Sequence, residues 1–208
     1  MAINRADATP LCTLAPSPYG CYPRGMWNYC PACGSREIRF DGSHKFSCPG
    51  CGLVYYHNTA AATGCVIRSG QGLVFLVRGK EPAKGKLDLP GGFVDPGEGV
   101  VEGLLRELRE EIGWEPLADT AGGRVPKGLR LFASFPNVYP YRGITYNTCD
   151  LFFTLDAPGL REGDLRLQAG EIGGVRFIRP EDLKLEELAF DSTRRALRAW
   201  LEMYTRPA

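Results

Sequence analysis

The sequence predicts an α/β sandwich preceded by a small cysteine-rich module. Short β-branched and apolar runs alternate with two amphipathic helical patterns, which is typical of mixed α/β domains. Four of the eight cysteines form two close pairs ahead of these runs. With 208 residues, 44% of them hydrophobic and 24% charged, the chain has the composition of an ordinary globular protein, which excludes wholesale disorder.

The predicted strands are short runs bounded by turn residues. They lie at 37–40, 45–48, 63–68, 73–78, 129–134, 145–155 and 174–178. The glycine-containing segment 69–72 predicts a hairpin between the third and fourth runs. Apolar residues at helical spacing predict helices at 100–112 and 191–204, the second with Asp191 or Ser192 as its cap.

Composition also limits the partners. Lys and Arg number 25 against 24 Asp and Glu, so a net charge of +1 gives no overall attraction to nucleic acid or to an anionic membrane. No apolar run approaches the ~20 residues needed to cross a bilayer, and residues 1–28 lack a secretory pattern. We expect a cytoplasmic protein with a proline-rich, irregular arm over 1–28. Arg5 and Arg24 leave organelle targeting open as an alternative.

The cysteine-rich module spans 29–58. Cys30 and Cys33 form one C-x2-C pair, Cys48 and Cys51 form another, and 14 residues separate the pairs. Four thiolates suit a closed tetrahedral Zn²⁺ site with a structural role, and two local disulfides or unligated thiols are the alternatives. The module carries little excess basic charge, so we do not expect nucleic-acid binding; docking of a protein or a homodimer contact stays open.

The helix at 100–112 carries an acidic arc beside its apolar stripe. On a helical wheel Glu107, Glu110 and Glu111 are neighbours, and Arg106 lies next to Glu110. Like charges at this spacing repel, so helix stability alone does not select them. Hard divalent cations bind such carboxylate clusters, and an arginine can fix a carboxylate by charge-assisted hydrogen bonds. The arc is therefore either a metal platform or, as for most Glu-rich faces, a solvated surface.

The residues before and within this helix match the pattern G-x5-E-x7-R-E-U-x-E-E-x-G-U, where U is apolar. The matching residues are Gly92, Glu98, Arg106, Glu107, Leu108, Glu110, Glu111, Gly113 and Trp114. This segment resembles the signature of the Nudix hydrolases. The resemblance implies an α/β/α sandwich with a mixed sheet over 62–205, and Mg²⁺- or Mn²⁺-dependent hydrolysis of a nucleoside diphosphate linked to another group.

The resemblance also implies roles for individual residues. Glu107, Glu110 and Glu111 would supply metal ligands, and Arg106 would orient them. The carbonyl of Gly92 is a further candidate ligand. Glu98 is either a ligand or a structural residue.

Other site residues are inferred from position. The general base is Glu107 or, outside the signature, Glu171, which lies in a glycine-flanked stretch before a strand. Arg78 and Lys84, with Lys86, precede the glycine turn and are candidate phosphate ligands, although loop cations usually only solvate a surface. The aromatic residues Phe135, Tyr139 and Tyr141 are candidates for stacking on a base, with core packing as the alternative.

A zinc ribbon before such a domain is similar to the architecture of NADH pyrophosphatases. Their S-Q-P-W-P-F-P-x-S stretch is absent, because the corresponding segment 132–141 reads FASFPNVYPY. No proline stands about sixteen residues past the signature, as ADP-ribose enzymes would have. We therefore predict a hydrolase acting on a small nucleotide substrate such as a dinucleotide, ADP-ribose or a nucleotide sugar. The alternative is a zinc-ribbon regulatory protein that uses a non-catalytic domain as a nucleotide sensor.

Overall fold

The computed structural model describes residues 28–42, 44–116, 125–141 and 144–204. The described chain divides into two compact units. One contains 28–58 together with Pro140–Tyr146, and the other contains Thr59–Tyr139 and the chain from Asn147 onward. Almost all of the arm expected over 1–28 lies outside the described residues.

The first unit contains a three-stranded antiparallel sheet. Its strands are β1 (Arg39–Phe40), β2 (Lys45–Ser47) and β3 (Val54–Tyr56), with β2 in the centre. Phe46 of β2 is buried, and its ring stacks on Phe40 at 4.6 Å between centroids. The first two strands lie where the sequence predicts them. The third was not predicted, because three residues directly after a cysteine pair give no measurable alternation.

The second unit is built on a six-stranded mixed sheet, although Pro140–Tyr146, where two of its strands meet, groups with the first unit. Its strands are β4 (Ala60–Ser69), β5 (Gly72–Arg78), β6 (Leu87–Asp88), β7 (Arg130–Tyr141), β8 (Ile144–Ala157) and β9 (Ile172–Ile178). The order is β6-β5-β4-β8-β7, and β9 pairs with β5. Strand β4 runs parallel to β8, whereas β5 is antiparallel to both β6 and β9. The predicted hairpin between β4 and β5 forms at 69–72.

Two helices cover the two faces of this sheet. Helix α1 (Val100–Ile112) packs Leu104 and Leu108 on one face, and α2 (Asp191–Tyr204) packs Leu197 and Trp200 on the other. Successive strand residues alternate between these layers, as the two-residue period of a strand requires: Cys65 and Ile67 face α1, whereas Val66 faces α2. The predicted α/β sandwich is thereby confirmed. None of the described helices combines the length and apolarity needed to cross a membrane.

Strand β7 extends well beyond the predicted run at 129–134. Pro136 and Pro140 lie beyond that run, and proline is uncommon inside strands because it lacks a backbone N–H donor. Strand β7 is the last strand in the sheet order, and an edge position tolerates prolines that lack a donor for a second neighbour.

Candidate active site

Arg106 organises the acidic face of α1. Its Nε and Nη2 donate to the two carboxylate oxygens of Glu98 at 2.7 and 3.1 Å. Its Nη1 donates to Glu107 at 2.9 Å and to Glu110 at 3.1 Å, and Nη2 also donates to the carbonyl of Phe93 at 2.9 Å. One guanidinium therefore fixes three carboxylates and the loop before the helix. Its contact with Glu110 is the one that the helical wheel predicted.

Glu98 is held more tightly than the others. Besides the paired bonds from Arg106, its Oε2 accepts the backbone N–H of Asp95 at 3.1 Å. These hydrogen bonds lower the pKa of Glu98. Both of its oxygens are thus already engaged, which favours the structural role over the ligand role for this residue.

Gly92 brings the backbone against Glu107. A Cβ at position 92 would lie 2.6 Å from the Glu107 carboxylate carbon, so only glycine leaves that carboxylate where it is. The carbonyl of Gly92, a candidate ligand by resemblance, accepts the Thr63 N–H at 2.8 Å and the Thr63 hydroxyl at 3.3 Å. Its position is therefore fixed by β4.

Gly91 holds the third glutamate. Its N–H donates to Glu111 Oε2 at 2.8 Å. Its φ of +139° and a Cβ that would approach the Thr63 carbonyl to 2.3 Å both require glycine. The Gly91-Gly92 turn therefore contacts two carboxylates of α1, one with a backbone donor and one by close approach.

The carboxylates interact with each other electrostatically. Burial raises the pKa of Glu107, and Arg106 lowers it in part. The charges of Glu110 and Glu171 add to the increase. Burial also raises the pKa of Glu111 well above its ordinary value, and Glu107, Asp88 and Glu171 add to that shift. Negative charge is thus crowded beyond what Arg106 and the Gly91 amide neutralise, and such a site favours a divalent cation.

The base candidate Glu171 directly precedes β9. Its carbonyl accepts the Gly79 N–H at 2.7 Å, and its carboxylate forms an ion pair with Lys80. The charge of Glu171 contributes to the raised pKa of both Glu107 and Glu111, so the two base candidates interact electrostatically.

Arg78 lies in a network of its own at the end of β5. Its Nε donates to the Pro82 carbonyl at 2.7 Å, and its Nη1 forms an ion pair with Asp88 at 3.1 Å. Its Nη2 donates to the Tyr139 hydroxyl at 3.4 Å, and the guanidinium lies over the Phe190 ring at 4.9 Å.

The remaining candidates are dispersed. Tyr139 packs edge-on against Phe93 at 5.5 Å, which brings it next to the glycine turn. Phe135 packs in the core on the α2 side, as the alternative reading expected, with Arg195 over its ring at 4.4 Å. Tyr141 falls in the segment that groups with the other unit. Lys84 lines a cavity of about 710 Å³ whose other described lining residues include Lys86 and none of the candidate glutamates.

The four cysteines of the first unit converge on one point. All four sulfur atoms lie within 4.8 Å of one another, with Cys30 to Cys51 and Cys33 to Cys48 each at 3.7 Å. Disulfide sulfurs stand about 2.0 Å apart, so these are free thiols. Sulfurs bound at about 2.3 Å around a tetrahedral zinc ion would stand about 3.8 Å apart, which matches the spacing found.

The backbone of the two pairs is equivalent. The N–H of Gly34 returns to the Cys30 carbonyl at 2.9 Å, and the N–H of Gly52 returns to the Cys48 carbonyl at 2.9 Å. These glycines have φ of +75° and +76°. Each C-x-x-C-G segment is thus the same tight turn, which aims both of its sulfurs at one point. Among the described residues, these four cysteines are the group of His, Cys, Asp or Glu side chains whose ligand atoms all lie within 4.8 Å of one another.

Sequence reasoning missed Asp88 and Lys80. Asp88 stands between the buried residues Leu87 and Leu89, in the segment that leads into Pro90. A carboxylate within an apolar run is unusual, and this could have identified Asp88 from the sequence. Burial raises its pKa to about 6, against the opposing effect of Arg78. Lys80 is an ordinary loop lysine with no such signal.

Comparison with known proteins agrees with this architecture. The family model for the NUDIX domain matches residues 58–201. A NAD-capped RNA hydrolase NudC from Deinococcus radiodurans is 28% identical over 172 residues, which cover 81% of this chain and 55% of that protein. An ADP-ribose pyrophosphatase from Methanocaldococcus jannaschii is 33% identical over 113 residues, which cover 53% of this chain and 59% of that protein. The matched part thus spans just over half the length of each of these relatives.

Solved structures show the same fold. A NUDIX hydrolase from Nitrosomonas europaea superposes with a TM-score of 0.57 at 22% identity, covering 86% of this chain and 94% of that one. The NUDIX domain of Shewanella oneidensis NrtR, solved with ADP ribose, superposes with a TM-score of 0.54 at 16% identity, covering 71% and 90%. With a family match over most of the chain and the complete acidic signature on α1, the chain belongs to the Nudix family.

Proposed function

We propose that this protein hydrolyses the pyrophosphate linkage of a nucleoside diphosphate derivative, using Mg²⁺ or Mn²⁺ at the acidic face of α1. The observation that carries the proposal is the crowding of Glu107, Glu110 and Glu111 around one guanidinium and one glycine turn. Their oxygen donors fit a hard cation, and an open arrangement suits ions that keep several waters while bridging carboxylates to phosphates. Such a cation, when bound, offsets the negative charge that develops on the attacked and leaving phosphates.

Each residue around the acidic face of α1 has its own proposed role. Glu107 is the first candidate for the base that accepts a proton from the attacking water. Glu171 is the second, because its charge acts on Glu107 and raises the pKa of that carboxylate. Arg106 and Glu98 keep Glu107 and Glu110 in place. Gly92 contributes its close approach to Glu107, since its carbonyl already accepts two hydrogen bonds from Thr63.

The candidate substrates are dinucleotides such as NADH, ADP-ribose and nucleotide sugars. The relatives named above act, by their names, on NAD-capped RNA and ADP-ribose. Each of these compounds contains a pyrophosphate between two nucleoside or sugar groups, and this shared linkage supports the reaction class proposed here.

In the same proposal the four cysteines hold one structural Zn²⁺. The 3.7 Å sulfur spacing and the paired turns support a closed tetrahedral site with no open position for a substrate. In the described part of this unit, Phe46 is the large apolar side chain that is buried, so the unit would gain much of its folding free energy from the metal.

A substrate panel tests the proposed reaction. NADH, NAD⁺, ADP-ribose, a nucleotide sugar, a nucleoside triphosphate and a 5′-NAD-capped RNA are each incubated with Mg²⁺ or Mn²⁺, and the products are separated by chromatography. The variants Glu107→Gln and Glu110→Gln should lose metal-dependent turnover by a factor of about 10² or more while circular dichroism stays unchanged.

The exposed helical residue Glu202 supplies a matched control, since Glu202→Gln makes the same chemical change far along α2. Full activity in both signature variants would refute the mechanism. Tight nucleotide binding without cleavage of any panel member would instead favour the nucleotide-sensor alternative.

A further inference from the structure

The proposed mechanism leaves the largely buried carboxylate of Asp88 without a role. Asp88 has only 19% of its side chain exposed, and it follows buried Leu87 on β6. Its Oδ2 accepts from Arg78, and its Oδ1 accepts the Thr193 hydroxyl at 3.2 Å and the Leu89 N–H at 3.0 Å. Burying a charged group is costly unless it is paired. The carboxylate of Asp88 therefore depends on these three partners, and its place in the site has to be accounted for.

The Arg78 guanidinium is fixed from several directions. Asp88, the Pro82 carbonyl, the Tyr139 hydroxyl and the face of Phe190 hold it, and only 16% of its side chain is exposed. Within the described part of the chain these bonds occupy three of its five N–H groups, which leaves one on each terminal nitrogen. An arginine held in this way has already lost most of its side-chain freedom and can bind an oxyanion at little further entropic cost.

This network adjoins the acidic face. Asp88 stands three residues before Gly91, whose N–H donates to Glu111 at 2.8 Å. Tyr139, which binds Arg78, also packs edge-on against Phe93, whose carbonyl accepts from Arg106. The network of Asp88 and Arg78 therefore runs from α2, through Thr193, to the glycine turn that contacts Glu107 and Glu111 of α1.

We propose that Asp88 is a positioning residue that holds Arg78 so that its two remaining N–H groups bind the pyrophosphate oxygens of the substrate. The inference rests on the proposed function, because it assigns Arg78 to the substrate of that same site. Asp88 itself does not contact the substrate; it acts through the ion pair, and Thr193 fixes its other oxygen.

Steady-state kinetics on Asp88→Asn, Arg78→Ala and the double variant test this role. The substrate is ADP-ribose, or the panel compound with the highest kcat/KM if ADP-ribose is not cleaved. We expect Arg78→Ala and Asp88→Asn each to raise KM about tenfold or more and to change kcat less than threefold, since a lost charge-assisted phosphate contact weakens binding. Once Arg78 is gone, Asp88→Asn should add nothing, so the double variant should match Arg78→Ala within a factor of two.

Asp156→Asn is the matched control. Asp156 also forms a two-point ion pair with an arginine, Arg68, but this pair is exposed. Arg68 pairs with Leu73 near the start of β5, whereas Arg78 is the last residue of β5. Asp156→Asn should leave KM and kcat unchanged. If Asp88→Asn does not fold, Thr193→Val removes one hydrogen bond to the same carboxylate and should raise KM by a smaller factor, about two- to fivefold.

A wild-type KM in Asp88→Asn would overturn the proposal. If Asp88→Asn does not fold, a wild-type KM in Thr193→Val would do the same. Additive effects of the two substitutions in the double variant would also overturn it. Those results leave the proposed function intact as long as Glu107→Gln remains inactive. Turnover that persists in Glu107→Gln would instead refute the proposed function itself.

Discussion

Replacing Gly92 with alanine should separate catalysis from folding at this site. The φ of Gly92 is outside the left-handed region, so alanine meets no backbone penalty there. Its Cβ would lie 2.6 Å from both the carbon and one oxygen of the Glu107 carboxylate, whereas ordinary contact begins near 3.4 Å. The carboxylate must therefore retreat by about 0.8 Å. It can do so because it is the end of a flexible side chain.

The expected cost is kinetic. A displacement near 1 Å at a reacting group lowers turnover by about 10²-fold. We expect kcat/KM of Gly92→Ala to fall about 30- to 100-fold, while the free energy of unfolding in urea changes by less than about 1 kcal/mol, because glycine-to-alanine changes at permitted φ are mildly stabilising. The assays are substrate hydrolysis with Mg²⁺ and equilibrium urea unfolding followed by circular dichroism.

Two further glycines serve as references. Gly159→Ala places its Cβ in open space and should be neutral in both assays. Gly91→Ala places its Cβ 2.3 Å from the rigid Thr63 carbonyl at a φ of +139°, so it should lose stability by more than about 2 kcal/mol. Wild-type kcat/KM in Gly92→Ala would refute the assignment of Glu107 to the reaction.

Three other predictions concern the zinc site, the organising arginine and the buried aspartate. Cys48→Ser should lower both bound zinc, measured by plasma mass spectrometry, and the melting temperature; one zinc per chain in that variant would contradict the four-sulfur site. Arg106→Lys keeps the charge but loses the paired bonds to Glu98, so kcat/KM should fall about tenfold or more, and unchanged kinetics would contradict its organising role. The pKa of Asp88 in the folded protein lies near 6, above the ordinary value of 3.8. Between about pH 4 and pH 6 the folded protein therefore keeps a proton on Asp88 that the unfolded chain has lost. Its free energy of unfolding, measured in EDTA, should decrease as pH rises over this range. Asp88→Asn should remove that part of the slope, measured by urea unfolding at several pH values; an unchanged slope would show that other groups cause it.

The long, periodic elements could be predicted from the sequence. The bounds of α1 and α2 agree with the predicted helices, because each carries a strong 3.6-residue pattern over more than three turns. Strand β7 shows why shorter or interrupted elements are harder to predict. Whether Pro136 ends a strand or sits on an edge depends on the sheet order, and a local window of sequence does not contain the sheet order.

The same distinction between local and long-range contacts applies to the candidate site. The acidic cluster and Arg106 were predictable, because residues three and four positions apart on a helix are neighbours whatever the rest of the fold does. The ion pair of Lys80 with Glu171, and the contact of Asp88 with Thr193, join residues about 90 or more positions apart. Only the pairing of β5 with β6 and β9, and the packing of α2, bring them together.

Three glycines near the signature show how closely the backbone and the carboxylates depend on each other. The Gly91 N–H binds Glu111, Gly92 leaves room for Glu107, and a Cβ at Gly103 would approach Glu98 Oε2 to 3.1 Å. Side chains at positions 92 and 103 would push acidic groups out of place, and one at position 91 would clash with the Thr63 carbonyl. The bare backbone lets the acidic groups pack closely and supplies one donor. The glycines thus cost α1 and its loop some conformational entropy, and they allow a concentration of negative charge that the helix by itself would not favour. A cation that binds this charge would recover part of that cost, so the divalent metal should stabilise the folded protein as well as support its reaction.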